Sequence, residues 1–499
     1  YLLCCLLFPL LAACDDYLKD DSDDLLIPSS VNDYLPVLLG EGYPDGLATN
    51  LEQVLLMTDD VEMGPLYYDD AMLSRVNVGV DGNSEGEHAY TWGTISEDIW
   101  EDVYANILGC NVVIEALPTM TYADSEYDLY CKLAAQAYTL RAYHYFVLVN
   151  LYAKPWSEAN LDELGVVMRV SPDITSEAQP RATLGEIYAL INEDLERAEV
   201  YFQDARKQYM KWEISPAAFY FLKSRVALFQ EDWDGVIESS QSFIELGEHD
   251  ITDLNGLDLT TCGILRSVNS GGYWINDSDA SEVVFCFAKS WLSYQYFAGV
   301  NTSYSNFTIG YHPSWTGANA LLNQYEAGDL RRDVYFGKMF YEDSYDLMYA
   351  FQAMPMKGQE EREAWRSPEV YLNMAEAYAR RDGVCQEAID LLNELRIKKM
   401  TQESYVAKTI GDFDSVEELV DFIWEERRRE LCFEEAMRFW DLRRQGMPEI
   451  THMVYWTDGT SQSYVLEAGS PNYLLQIPAA ETDYNSAIKN NDRDIIVGQ

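Results

Sequence analysis

The sequence predicts an all-α fold: a tetratricopeptide-like helical-repeat scaffold carrying an irregular, loop-rich lobe with short strands. Three observations point there. Apolar residues recur at helical spacing over most of residues 31–250 and 366–499. A helical pair opened by Ser215-Pro216 is echoed by one opened by Ser367-Pro368. Between them, residues 251–365 lose that period and fill with Gly, Ser, Asn and aromatics.

Taken in order, Leu2 to Ala13 is an uncharged apolar run too short to span a bilayer. It closes with Leu11-Ala12-Ala13-Cys14 and turns abruptly acidic. Residues 1–13 read as the remnant of a secretory signal peptide. The Leu-Ala-Ala-Cys wording resembles a bacterial lipobox, which would make Cys14 a lipid anchor. Several acyl chains, at about 0.8 kcal/mol per buried methylene, would hold it firmly. Residues 14–30 follow as a hydrated acidic tether.

Residues 31–250 form the N-terminal helical part. Trp100, Val103, Ile107, Cys110, Val113, Ile114 and Leu117 predict a helix over 99–117, stopped by Pro118. Leu133 to Tyr152 is nearly all apolar, but Gln136, Arg141, His144 and Asn150 mark it as a buried helix rather than a membrane span. Arg181-Ala182-Thr183 leads into the next helix. The echo then aligns Phe219 with Tyr371, Leu222 with Met374, Ala227 with Ala379, Ile237 with Ile389 and Phe243 with Leu395. Each unit of roughly 34 residues reads as two helices opened by a Ser N-cap and a Pro at the first helical position. In the lobe at 251–365, Val283 to Ala288 reads as one short strand and the rest as long loops, which in a compact protein usually carry function.

Residues 366–499 hold the second pair and the most distinctive wording. Glu425 to Gly446 reads as one amphipathic helix ended by Gly446 and Pro448. Arg427 with Glu430, Glu434 with Arg438, and Arg438 with Asp441 sit at the spacing of surface ion pairs. Glu426, Arg427, Glu430, Leu431, Phe433, Glu434, Arg438, Asp441, Leu442, Arg443 and Arg444 resemble the C-terminal signature of the SusD/RagB family, outer-membrane nutrient-binding lipoproteins. Glu435 stands where that signature usually has Gly, and one extra residue separates Glu434 from Arg438. Leu140-Arg141-Ala142 with Tyr145-Phe146, and Ile477-Pro478 with Glu481, Asn485, Asn490 and Asn491, resemble further family segments. The resemblance implies a surface lipoprotein outside the outer membrane that captures an oligosaccharide and passes it to a SusC-like TonB-dependent transporter. It also makes the acidic run after Cys14 look like a surface-export tag. That conflicts with the inner-membrane retention an Asp after the Cys can signal in other Gram-negative bacteria.

Composition narrows the function. A net charge of −49 repels phosphate backbones and excludes nucleic acid as a partner. Cys110, Cys131, Cys262, Cys286, Cys385 and Cys432 form no metal-ligand spacing. They read as buried thiols, with a Cys110–Cys131 bridge left open. Gly82-Asn83-Ser84-Glu85-Gly86 matches a nucleophile elbow, but the wording from His88 to Gly93 does not read as the helix start the motif needs. Asp81, Asn83 and Glu85 mimic half a calcium loop, yet Trp92 occupies the position of its essential acid. No catalytic residue, metal or cofactor is therefore assigned. Flat aromatics that stack on sugar rings, with polar groups for the hydroxyls, are the expected site chemistry. Relatives of this kind place them on loops, which here offers Tyr67, Tyr68, Tyr90 and Trp92, then Trp274, Trp291, Tyr294, Tyr296 and Trp315, with Asp81, Asn83 and Asn319 as polar partners. A peptide-binding member of the family and a surface glycosidase are the rival readings.

Overall fold

The computed structural model describes residues 28–44, 51, 53–64, 85–93, 95, 98–173, 175, 177–257, 280–287, 310–343, 346–352, 363–456 and 460–499. The signal remnant, Cys14 and most of the tether lie outside them. Helix α1 (Val31–Val37) leads through a wider turn toward a short strand β1 (Val61–Gly64) and a short helix α2 (Glu85–Tyr90). The scaffold follows: α3 (Asp98–Ala116), α4 (Tyr127–Tyr152), α5 (Leu184–Phe202), α6 (Pro216–Phe229) and α7 (Trp233–Leu246). Its second half is α9 (Pro368–Asp382), α10 (Gln386–Lys399), α11 (Val416–Glu430) and α12 (Met437–Arg444), preceded by a single-turn α8 (Arg331–Tyr335) and followed by α13 (Ala479–Tyr484). Neighbours pack as α3 on α4, α4 on α5, α6 on α7 and α9 on α10, and α9 also packs on α6, α7 and α11. The two echoed pairs thus lie against each other, each burying its apolar face on its neighbour.

Helix α4 is the spine. Every residue from Leu133 to Tyr152 is buried, and its polar side chains tie it to its neighbours: Arg141 forks onto Asp194 and Asn111, and Gln136 donates to the Ile214 carbonyl. Thr183 caps α5 by accepting from the Glu186 amide while Glu186 returns a bond to the Thr183 amide. Ser215 caps α6 in the same way through the Ala218 amide. Ser367 does not: its backbone is already helical, and its hydroxyl donates to the Asp250 carbonyl. The echo is therefore one of packing positions, not of caps.

The lobe holds more order than its composition suggested. β4 (Val283–Phe287) pairs antiparallel with β8 (Glu363–Arg366), β5 (Gly310–Pro313) pairs with β1, and β6 (Gly337–Asp343) forms a hairpin with β7 (Asp346–Gln352). Elsewhere β2 (Leu164–Val167) pairs with β3 (Arg181–Thr183), and β9 (Ile450–Tyr455) with β10 (Ser461–Leu466). Cys110, Cys131, Cys286, Cys385 and Cys432 are free thiols, so no Cys110–Cys131 bridge forms.

The signature departs furthest from its reading as one solvated helix. It breaks into α11 and α12 across a turn at residues 431–436, where Phe433 and Glu435 take positive φ of 60° and 44°. Its charges are buried and reach across the molecule. Glu430 meets Arg331 and Arg366, Glu434 meets Arg366, Arg427 meets Asp441 on the next helix, and Arg444 forks onto Glu376 of α9. Burial opposes ionisation of Glu426, but Arg429, Arg331 and Arg396 outweigh it and hold the carboxyl well below the usual range. Glu435 occupies the left-handed position that usually takes Gly. The strain of about 1–2 kcal/mol is offset because its carboxylate pairs with Arg225 at 2.7 Å and accepts from the Tyr143 hydroxyl at 2.8 Å.

Candidate functional site

The signature also builds the floor of the candidate site. Arg438 forks onto Asp59 with both bonds at 2.7 Å, and Arg428 donates to Asp60 at 2.6 Å. Burial works against the Asp59 carboxylate, yet Arg428 and Arg438 hold its pKa far below the ordinary range. A third bond runs from Arg428 to the Asn319 carbonyl at 2.9 Å. Ser314 ties the same loop down, donating its amide to the Asp60 carbonyl and its hydroxyl to the Asp59 carbonyl. Two arginines of the helical part thus fix both β1 and the Trp315–Asn319 loop that follows β5.

Above this floor lies a cleft of about 160 Å³ lined by Met63, His88, Tyr90, Thr91, Val454, Trp456 and Tyr464. Strand alternation supplies one wall. In β9–β10, Tyr464 pairs with His452 and Gln462 with Val454, so these side chains and Trp456 share a face. Gln462 organises it, its Oε1 accepting from the Trp456 indole at 3.0 Å and from the Tyr464 hydroxyl at 3.5 Å. Trp456 and Tyr464 remain half-buried, leaving aromatic surface open to the cleft. Among the described residues no carboxylate lines it; Glu62, beside Met63 on β1, accepts from the Thr316 amide and hydroxyl. Its described lining fits an apolar, ring-shaped ligand face.

The sequence-predicted residues divide three ways. Tyr67, Tyr68, Asp81, Asn83, Trp274, Trp291, Tyr294 and Tyr296 lie outside the described residues. Trp315 is half-buried against the core and Asn319 is exposed, both on the clamped loop. Tyr90 and Trp92 are both buried, and only Tyr90 is among the residues that line the cleft. Trp92 is only 1% exposed, donates its indole to the Met57 carbonyl at 2.9 Å and stacks on His452 at 4.4 Å. The opposite face of the same imidazole takes Tyr90 at 4.1 Å. That stack is core, and it leaves Trp92 no ring face for a ligand; Tyr90 reaches the cleft only as part of its floor. Helix α2 starts at Glu85, inside the Gly82–Gly86 motif, so His88 to Tyr90 form its last turn and not a helix start. Trp92, in the left-handed region at φ 53°, turns the chain out of it, with the Trp92 amide donating to Ala89 and the Gly93 amide to His88.

Sequence reasoning missed Trp456 and Tyr464. Asp458-Gly459, flanked by alternating Ile450, His452, Val454 and Gln462, Tyr464, Leu466, carries the hairpin signal that would have found them. Among the described residues no cluster of His, Cys, Asp and Glu is arranged to hold a metal, and no helix is long and apolar enough to cross a membrane.

Comparison with known proteins agrees with this architecture. A family model described as starch-binding, associating with the outer membrane, matches residues 49–228, and the SusD family model matches residues 318–493. The SusD-like protein P38 of Formosa agariphila is 24% identical over 156 residues, 31% of this chain and 27% of that protein. A SusD superfamily structure from Bacteroides thetaiotaomicron superposes with a TM-score of 0.69 at 20% identity, covering 93% of this chain and all of that one. A SusD-like carbohydrate binding protein from Bacteroides vulgatus gives 0.65 at 19% identity over 92% and 97%. With both halves matched, and the signature found to clamp the fold together, the chain belongs to the SusD/RagB family.

Proposed function

We propose that the protein captures a neutral oligosaccharide at its aromatic face and does not cleave it. The observation that carries this reading is the cleft under the β9–β10 hairpin, where Trp456 and Tyr464 stand open and, among the described residues, no carboxylate joins the lining. A pyranose ring presents an apolar C–H face that stacks on such rings, while its hydroxyls find Thr91, His88 and the exposed Asn319. The Trp315–Asn319 loop, pinned by Arg428, extends the same face, and the predicted aromatics at 67–68 and 274–296 are proposed to complete it. A glycosidase needs two acids flanking one bond, and the described lining holds none. A lipid anchor at Cys14 on the cell exterior, with delivery to a TonB-dependent transporter, completes the proposal; family membership and the relatives' descriptions support it.

Titration of neutral oligosaccharides into the purified protein tests the reading. Trp456→Ala and Trp315→Ala are each expected to weaken binding about tenfold, equivalent to about 1.4 kcal/mol, with melting unchanged. Wild-type affinity in both variants would remove the site. Binding of peptides in place of glycans would replace the ligand class.

A further inference from the structure

A second aromatic surface lies at the N-terminal end of α4. Tyr122 and Tyr127 are 42% and 44% exposed, high for aromatic side chains. They are not isolated: Tyr122 meets Tyr130 at 4.6 Å and Tyr127 at 6.0 Å, Tyr127 lies near-parallel to Tyr130 at 6.3 Å, and Tyr130 meets Tyr201 of α5 at 6.1 Å. The row is held from below, since Tyr130 donates its hydroxyl to the Leu117 carbonyl. Glu126 is locked by the Ala123 amide and the Asn32 side chain, so the turn presenting Tyr122 and Tyr127 is fixed in advance. Exposed Asp124 lies in that turn, and exposed Asp204 is close enough to Tyr127 to help raise its phenol pKa, behind the hydrogen bond with Cys131.

We infer that this tyrosine row is a second glycan-binding platform, distinct from the cleft. The inference rests on the proposed function for its ligand class. Charge selects the occupant. Carboxylates beside stacked phenols suit the hydroxyls and C–H faces of a neutral sugar, whereas Asp124 and Asp204 would resist an anionic lipid surface, as would the net charge of −49. Geometry separates the two sites. Helix α4 has 26 residues, about 39 Å at 1.5 Å per residue. The cleft belongs to its other end: Trp92, in the stack beneath the cleft, receives the Asn472 side chain on its carbonyl, and the Leu475 amide donates to Leu151. Two weak sites that far apart engage one long polysaccharide together and raise retention without any new contact.

The test uses soluble starch, xylan, mannan and a mixed-linkage glucan in affinity gels, with the hexasaccharide of each retained polymer for titration. The wild type is expected to bind two hexasaccharides per chain, and Tyr122→Ala/Tyr127→Ala one. Retention by the polymer should fall about tenfold in the double variant, with circular dichroism unchanged. Tyr127→Gln alone, which keeps the bulk of the turn, should show a partial loss and covers the case in which the double variant misfolds. One site in the wild type, or undiminished retention of the variants, overturns the platform while leaving the cleft intact. Wild type retained by no polymer overturns the cleft reading and the platform together. Sedimentation of the wild type, but not the variant, with phosphatidylcholine vesicles would assign the row to a lipid surface instead and also overturns it.

Discussion

Arg366→Met tests whether the signature's charges clamp the fold or merely decorate a surface. Arg366 is buried and faces Glu282 at 2.9 Å, Glu430 at 2.8 Å and Glu434, with the Tyr335 ring 5.5 Å away. Removing it leaves Lys399, at 3.0 Å from Glu282 and 3.6 Å from Glu430, and Arg331, at 3.2 Å from Glu430, to balance carboxylates that had three cations. Stripping one partner from a buried pair costs about 3–5 kcal/mol. For 499 residues the unfolding entropy is roughly 1 kcal/mol per degree, so melting should fall by about 3–5 °C. Calorimetry reads this directly. Adding Glu434→Gln removes a carboxylate that had faced Arg366 and should restore part of the loss. Lys154→Met, which breaks the exposed pair with Glu163, should leave melting where it was. A fall of under about 1 °C for Arg366→Met, or a double variant worse than the single, would refute the buried clamp.

Further predictions follow from the same contacts. Trp92→Ala should lower melting by about 3–5 °C, because a buried Trp is worth about 3–5 kcal/mol; a variant that melts normally but binds glycan poorly would return Trp92 to the site. Glu435→Gly relieves about 1–2 kcal/mol of left-handed strain but leaves Arg225 with Glu369 and takes the acceptor from the Tyr143 hydroxyl, so it should still destabilise; a gain in melting temperature would contradict the pairing. Acid should weaken the fold through its buried histidines. Burial holds the His144 and His452 pKa values down to about 4, so their contribution is complete above the unfolded value near 6.5 and is lost as pH falls toward 4. At pH 5 that is about 2 kcal/mol each, a melting temperature about 4 °C below that at pH 7. His452→Gln should reduce this difference, and an unchanged melting temperature between the two pH values would oppose the reading.

How much was legible depends on whether a residue's role is local. Thr183 and Glu186 make α5 readable because a cap is completed within three residues. The apolar run of α4 announces its own burial, although its first turns at Tyr127–Lys132 did not stand out. The signature was read correctly as a family mark and wrongly as a solvated helix. Charge spacing along a chain cannot show that Arg438 reaches Asp59, 379 positions away. The break at residues 431–436 was hidden for the same reason: Glu435 tolerates positive φ only through Arg225 and Tyr143, which belong to other helices. Aromatic richness singled out loops, but composition does not separate Trp92, covered by His452, from Trp456, held half-open by Gln462. The β9–β10 hairpin was within reach of sequence through Asp458-Gly459 and was passed over because the surrounding pattern is helical.

The central claim, capture without cleavage, is tested most directly by incubating the protein with neutral polysaccharides and reading two quantities from one sample: retained protein and newly formed reducing ends. Retention of the protein by at least one polysaccharide, with reducing ends no higher than in a protein-free control, is the predicted result. Release of reducing ends that disappears on substitution of a single carboxylate would contradict it.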